Sequence, residues 1–294
     1  MPPRSRIQIA KSDIVRFFDE LPTAVFGAKD LASILSEHRA EWRLTQRMCV
    51  DEFIEFLTRS SKLKAHRFGF PTRTEIRYTW GDVHFLQVVL SLKRDSYFTH
   101  YTAVRMHGLT EQIPKTIFLN YEQSPHPRTQ TLDQEAIDAA FAKPQRQSNN
   151  IAEVSGVRVY LLNGMHTALL GVERRDVAYD DSRPLPVRVT GLERTLIDIT
   201  VRPAYAGGVF EVRKAFELAR ETVSVNRLAA MLQKLQFAYP YHQAIGFYME
   251  RAGYKPSLID LVRRFPTDFD FYLTHGMAEK HYVKKWRLYV PSGL

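Results

Sequence analysis

The pattern that most restricts the fold lies between residues 44 and 80. One amphipathic helical stretch runs directly into two alternating stretches separated by a short tip. In "LTQRMCVDEFIEFLTRSS" (44–61), Val50, Phe53, Ile54 and Leu57 form one apolar stripe at helical spacing. "LKAHRFGF" (63–70) and "TEIRYTW" (74–80) alternate as strands, and "PTR" between them suits a hairpin tip. Two further helices precede this unit. "AKSDIVRFFDEL" (10–21) spaces Ile14, Phe17, Phe18 and Leu21 helically, with Ser12 as the expected N-cap. "AKDLASILSEHR" (28–39) points Leu31, Ile34 and Leu35 inward. Three short helices followed by a basic hairpin is the order of a winged helix-turn-helix, whose third helix enters the major groove of DNA with its N-terminal residues at the base edges.

On that reading Arg43, Thr45, Gln46 and Arg47 begin the groove face. Arginine pairs two-pronged with guanine, and glutamine with adenine. The hairpin carries Lys64, His66, Arg67, Arg73 and Arg77, and Arg59 and Lys62 close the third helix; all seven suit phosphate contacts that set register. Asp51, Glu52 and Glu55 on the same helix oppose this, because acids repel phosphate. Use of the fold for protein contact is the competing reading.

Charge agrees with a polyanionic partner without requiring one. The 294 residues carry a formal net charge of +9. Residues 1–94 hold +5 of it and the longer remainder +4, so the first third is the more basic per residue. The longest clearly apolar run, "FLQVVLSL" (85–92), is far short of the ~20 residues of a membrane span. With no signal-peptide core in "MPPRSRIQIAKSD", a cytoplasmic location is expected. Cys49 is the single cysteine, which leaves no internal disulfide and no cysteine-cluster zinc site; it reads as a small apolar filler. The fold class expected is α+β: a winged helix-turn-helix over 8–95, then a larger mixed α/β domain over 96–294.

In the second part, "SYFTHYTAVRMHGLTEQIPKTIFLNYEQ" (96–123) reads as a short helix, a turn at Gly108 and a strand over 116–121. His100, His107 and Glu111 are too loosely spaced for a metal site and read as packing or helix-end residues. Residues 124–150 read as a polar loop with one short helix, "DQEAIDAAFA". "GVRVYLLN" (156–163) and "LPVRVT" (185–190) alternate as strands, and 173–183 is expected to be exposed. Thr190 and Glu193 have capping-box spacing at the start of the next helix. Arg194 and Asp198 form an i,i+4 pair of the kind that on a surface is worth ~0.3–0.5 kcal/mol. Pro203 follows the helix, and Gly207 and Gly208 permit a tight turn; without a preceding strand or a following Gly-Lys-Ser/Thr they are no phosphate loop. Three more helices (225–236 with Ser224 as cap, 242–253 and 256–265) lead to strands in "DFDFYLTHG" and "KKWRLYVP". Lys280, Lys284, Lys285 and Arg287 form a basic cluster, either a second DNA contact or a solvated face.

"HYTAVRMHGLTEQIP", "VTGLERTLIDITVRPAYAGG" and "EVRKAFELA" together resemble the AbiEi family, the antitoxins of type IV toxin–antitoxin and phage-abortive systems. The matching residues are Glu193, Arg194, Thr195, Asp198, Pro203, Gly207 and Gly208. The resemblance spans about residues 10 to 265. It implies a non-enzymatic autorepressor that binds inverted repeats in its own promoter, as a homodimer on DNA in one arrangement. It also implies a nucleotidyltransferase-like toxin encoded alongside, countered either directly or only functionally, and no cofactor. No Gly-Ser dipeptide of the kind such a transferase needs ahead of its acids occurs in this chain, nor does G-x-S-x-G or H-E-x-x-H. A plain winged-helix repressor, an interaction scaffold and a metal-dependent nuclease built from acids such as Asp260, Asp268, Asp270 and Glu279 stay open as alternatives.

Overall fold

The computed structural model describes residues 5–125, 132–178 and 184–294. The fold is α+β. The chain divides into two compact units: residues up to Arg94 together with Ile151–Arg158, and Asp95–Asn150 together with Val159–Leu294. No described helix is long and apolar enough to cross a membrane.

The first unit opens with α1 (Arg6–Glu20), then β1 (Val25–Phe26), α2 (Ala28–His38), α3 (Val50–Ser60), the hairpin β2 (Leu63–Phe70) and β3 (Arg73–Trp80), and α4 (Phe85–Leu90). Its sheet has the order β1-β3-β2, antiparallel throughout. Phe70 faces Arg73 across the hairpin end, so only Pro71 and Thr72 form the tip. Ile14, Phe18, Leu31, Leu35, Phe53 and Leu57 fill the core beneath Trp42 and Trp80, which is the apolar set the helical spacing predicts.

Two helix starts differ from expectation. Ser12 is not a cap: α1 begins at Arg6, the Ser5 amide donates to Gln8 Oε1 at 2.8 Å, and Ile7 and Ala10 extend the buried face N-terminally. The third helix starts six residues late. Cys49 is its N-cap, with Sγ accepting from the Glu52 amide at 3.5 Å while the Cys49 amide donates to Glu52 Oε2. Cys49 is therefore an exposed cap and not an apolar filler. Leu44 is buried, but by a turn. The Arg39 guanidinium holds that turn, donating to the Thr45 and Met48 carbonyls at 2.6 and 3.1 Å. Arg43 sits in it at φ 52°.

In the second unit, β4 (Tyr97–Phe98) and α5 (His100–Met106) precede β5 (Thr116–Glu122) and α6 (Gln134–Ala142). After β6 (Ile151–Val154), which belongs to the first unit, come β7 (Val157–Gly164), β8 (Val172–Val177) and β9 (Leu185–Thr190). The main sheet runs β7-β5-β4-β9-β8, with β4 parallel to β9 and antiparallel to β5. Much of the predicted exposed stretch is the edge strand β8, whose Glu173–Asp176 side chains do face solvent; its end at 179–183, like 126–131 of the polar loop, lies outside the described residues.

The helical part follows: α7 (Leu192–Val201), a 3-10 turn over Pro203–Tyr205, α8 (Val209–Ala219), α9 (Val225–Leu235), α10 (Tyr241–Arg251) and α11 (Pro256–Arg263). A small sheet of β10 (Phe271–Tyr272), β11 (Lys280–Val283) and β12 (Leu288–Pro291) has the order β10-β12-β11. "KKWRLYVP" is half strand only, because Lys284–Trp286 is a 3-10 turn that sinks Trp286 into the core.

Candidate functional site

The four residues expected at the groove face are all exposed, but none lies on α3. Arg43, Thr45, Gln46 and Arg47 occupy the turn that Arg39 clamps ahead of the helix. The first turn of α3 instead presents Asp51 and Glu52 to solvent. Acids there complement the positive end of the helix dipole and remove its attraction for phosphate.

The hairpin cations separate into two groups. Arg67 is exposed and joins no ion pair among the described residues. The others are engaged. Lys62 pairs with Asp19 at 2.7 Å, and that bond, with one from the Trp80 indole, holds the Asp19 carboxyl below its ordinary value. Lys64 meets Asp82 at 2.5 Å, and Arg59 meets Glu55 at 2.7 Å. Such exposed pairs are worth at most ~1 kcal/mol and open readily to a competing anion. His66 is half-buried against Thr79, and burial first, then the Lys64 charge, pushes its pKa down.

Arg77 and Arg73 are structural. Arg77 donates to the Ser91 and Leu92 carbonyls, both at 3.1 Å, and to Glu75 at 3.2 Å. Arg73 bonds Glu75 through Nε at 2.8 Å and lies over the Phe70 ring. Burial pushes Glu75 up, but the two guanidiniums outweigh it and hold the carboxyl low. Alternation alone marks both arginines as surface residues; the burial of Arg77 follows from Ser91 and Leu92 returning to the hairpin after α4.

The second unit holds a buried polar centre on α7. Glu193, Arg194, Thr195 and Asp198 are all buried, so the Arg194–Asp198 pair is not a surface contact. Arg194 bonds Asp198 Oδ1 through Nε at 2.7 Å and the Leu170 carbonyl through Nη1 at 2.6 Å. Thr99 Oγ1 donates to Asp198 Oδ2 at 3.0 Å. The expected capping box is absent. Gly191 is the N-cap of α7, and Thr190 ends β9 with its hydroxyl 2.8 Å from Thr195 Oγ1. Glu193 reaches outward to accept from the Ser224 amide at 2.9 Å and from Arg227 at 2.8 Å. Pro203 begins the 3-10 turn, and Gly207 and Gly208 have φ of 82° and 100°. Arg194, Asp198 and Glu193 fasten α7 to the start of α5, to α9 and to the loop before β8.

His107 bonds the Thr190 carbonyl through Nε2 at 2.7 Å. Among the described residues no three His, Cys, Asp or Glu side chains are grouped to hold a metal ion. The C-terminal basic cluster is dispersed: Arg287 bonds Asp270 at 2.8 Å, Lys285 bonds Glu250, and Lys280 lies over the Tyr272 and Tyr289 rings.

No family model matches this chain, and no curated protein does. The chain is similar to a solved structure, the RV2827C protein from Mycobacterium tuberculosis. The two share 16% identity with a TM-score of 0.58, over 96% of this chain and 91% of that chain. At that identity the likeness establishes a shared fold and nothing about activity.

Proposed function

We propose that the first unit is a winged helix-turn-helix, with boundaries near residues 8–95, that binds duplex DNA. We further propose that the protein is a non-enzymatic autorepressor and antitoxin of the AbiEi type. The supporting observation is the order α1-α2-turn-α3-β2-β3 with Arg43, Thr45, Gln46 and Arg47 exposed on the turn and Arg67 exposed on the hairpin. The turn supplies base contacts at the mouth of the major groove. The hairpin supplies phosphate contacts, through Arg67 directly and through Lys62 and Lys64 once their surface pairs open. The antitoxin role, inverted repeats in its own promoter and a nucleotidyltransferase-like toxin encoded alongside rest on the resemblance of the 100–114, 189–208 and 211–219 segments to the family. Asp51 and Glu52 on α3 favour a second reading, in which the same face binds a basic protein partner.

A mobility shift with the full-length protein separates the two. The DNA reading expects low-salt binding to the region upstream of its own gene, tighter than to random duplex of equal length. Absence of binding to either duplex at low salt would reject it. Growth rescue in cells expressing the neighbouring toxin tests the antitoxin role.

A further inference from the structure

A cavity of about 530 Å³ lies wholly within the second unit, between the end of β5, the end of β7, residues 146–149 and the start of the 3-10 turn. Its volume is within the ~300–1,000 Å³ typical of small-molecule sites. Among the described residues two arginines line it, Arg146 and Arg202, and no carboxylate does. The rest of the polar lining is uncharged and includes His100, Asn120, Gln123 and Ser148.

Three features mark the cavity as built. First, Arg202 is held in place: its Nη1 donates to the Arg146 carbonyl at 2.7 Å, and its guanidinium lies over the Tyr205 ring at 5.9 Å. The Tyr205 hydroxyl in turn accepts from the Ser148 amide at 2.7 Å, which pins the 146–149 segment against the 3-10 turn. Second, His100 lines the cavity while being only 9% exposed, and its Nδ1 is enclosed without a hydrogen-bond partner. Burial holds this imidazole neutral. The ring has no hydrogen-bond partner among the described residues, so its donor and acceptor capacity is unspent. Its backbone also has φ 50°, a left-handed conformation costly for a side-chain-bearing residue, and such strain collects at ligand sites. Third, Gly164 lines the floor against Asn120. A Cβ there would stand 2.6 Å from Asn120 Oδ1, so the glycine keeps that amide in place. Asn120 Nδ2 is committed to the Tyr97 hydroxyl at 2.7 Å, which fixes Oδ1 as the acceptor left over.

Two arginines, one of them held in place, and a neutral imidazole, with no carboxylate lining the cavity among the described residues, suit an oxyanion. An inorganic oxyanion would fill a small part of the space. The remaining surface, with amide oxygens at Asn120 and Gln123 left as acceptors, suits a polar group larger than water attached to that oxyanion. We propose that this cavity is a binding site for a nucleoside monophosphate, with Arg146 and Arg202 on the phosphate and His100 and Asn120 on the nucleoside. The site is independent of the DNA-binding surface proposed above, and neither reading requires the other.

The test is calorimetric titration of the full-length protein with AMP, GMP, CMP and UMP, beside the matching nucleosides and inorganic phosphate. The expected result is saturable binding of at least one nucleotide. Its nucleoside and inorganic phosphate should each bind at least tenfold more weakly. Arg146→Ala removes an exposed side chain and leaves the fold intact; it should weaken the nucleotide at least tenfold. His100→Asn, which tolerates the left-handed backbone, should weaken nucleoside and nucleotide by the same factor. No saturable binding of any nucleotide at millimolar concentration overturns the proposal. Equal affinity for inorganic phosphate, or binding unchanged in Arg146→Ala, overturns it as well.

Discussion

Arg194 donates through Nε to Asp198 Oδ1 at 2.7 Å, one helical turn apart, with side-chain exposures of only 8% and 10%. Burial pulls the guanidinium pKa down, but the Asp198 charge outweighs it and the net displacement is upward. Removing one member of such a pair leaves a charge uncompensated in a poor solvent for it. Asp198→Asn and Arg194→Met should each lower stability by ~3–5 kcal/mol. The double variant Arg194→Met/Asp198→Leu should cost clearly less than the two single costs combined. Urea unfolding followed by circular dichroism measures all three. A loss below ~1 kcal/mol in both single variants would mean that water replaces the missing partner.

That pair also shows what sequence pattern reveals and what it does not. Leu31 and Leu35 are spaced for one helical face, and α2 forms where that spacing places it. The hairpin was legible because alternation resumes on either side of "PTR". The start of α3 was not, since Leu44 is apolar but buried by a turn, which its own backbone bonds and the Arg39 bonds to the Thr45 and Met48 carbonyls hold. Thr190 and Gly191 are both acceptable caps by residue type, and the choice was made by Thr195 bonding Thr190 from the following helix. An i,i+4 Arg–Asp pair looks the same on a surface and in a core. The burial of Arg194–Asp198 depends on Thr99 and Leu170, far away in sequence. The cavity around His100 left no motif, because its lining comes from separate segments of the second unit.

Two buried histidines give stability a predictable pH dependence. Burial pushes His100 and His242 down from the usual 6.5 to about 4 each. Between those values the unfolded chain binds protons that the folded chain does not, so stability is full above pH 6.5 and falls as pH drops toward 4. For His100 the displacement corresponds to about 3 kcal/mol at ~1.4 kcal/mol per pH unit. His100→Asn should flatten the stability profile between about pH 5 and 6.5, above the ordinary carboxylate range. An unchanged slope in that window would show that His100 is already protonated in the folded protein.

Two glycines should fail for different reasons. Gly208 has φ 100° with open space where a Cβ would stand, so Gly208→Val should cost ~1–3 kcal/mol through the backbone alone. Gly246 has ordinary helical geometry, but a Cβ there would lie 2.2 Å from the Trp286 ring. Trp286 is fully buried and its indole bonds Glu250 at 2.6 Å, so it has no room to retreat. Gly246→Ala should therefore destabilise by more than ~3 kcal/mol, at the upper end of overpacking costs. Thermal unfolding of both variants decides it; a Gly246→Ala protein close to wild type would mean that the Trp286 ring moves freely.

The basic residues of the first unit should separate into three behaviours on DNA. Arg47 is exposed on the turn before α3, which the DNA-binding proposal puts at the base edges. Arg47→Ala should cost ~1–3 kcal/mol on the cognate duplex and much less on random sequence. Arg67 is exposed on β2 and free of ion pairs among the described residues, and the DNA-binding proposal assigns it to phosphate. Arg67→Ala should weaken both duplexes alike and reduce the log–log salt slope by about one. Arg77 is bonded to the Ser91 and Leu92 carbonyls and to Glu75, so its charge is used inside the fold. Arg77→Ala should lower the melting temperature and leave the salt slope unchanged. Fluorescence anisotropy at several salt concentrations, beside thermal melts, measures all three. Equal losses on both duplexes for Arg47→Ala would place that residue on phosphate. A salt slope that drops by about one in Arg77→Ala would show that the hairpin rearranges on DNA and releases an arginine that the free protein keeps bonded.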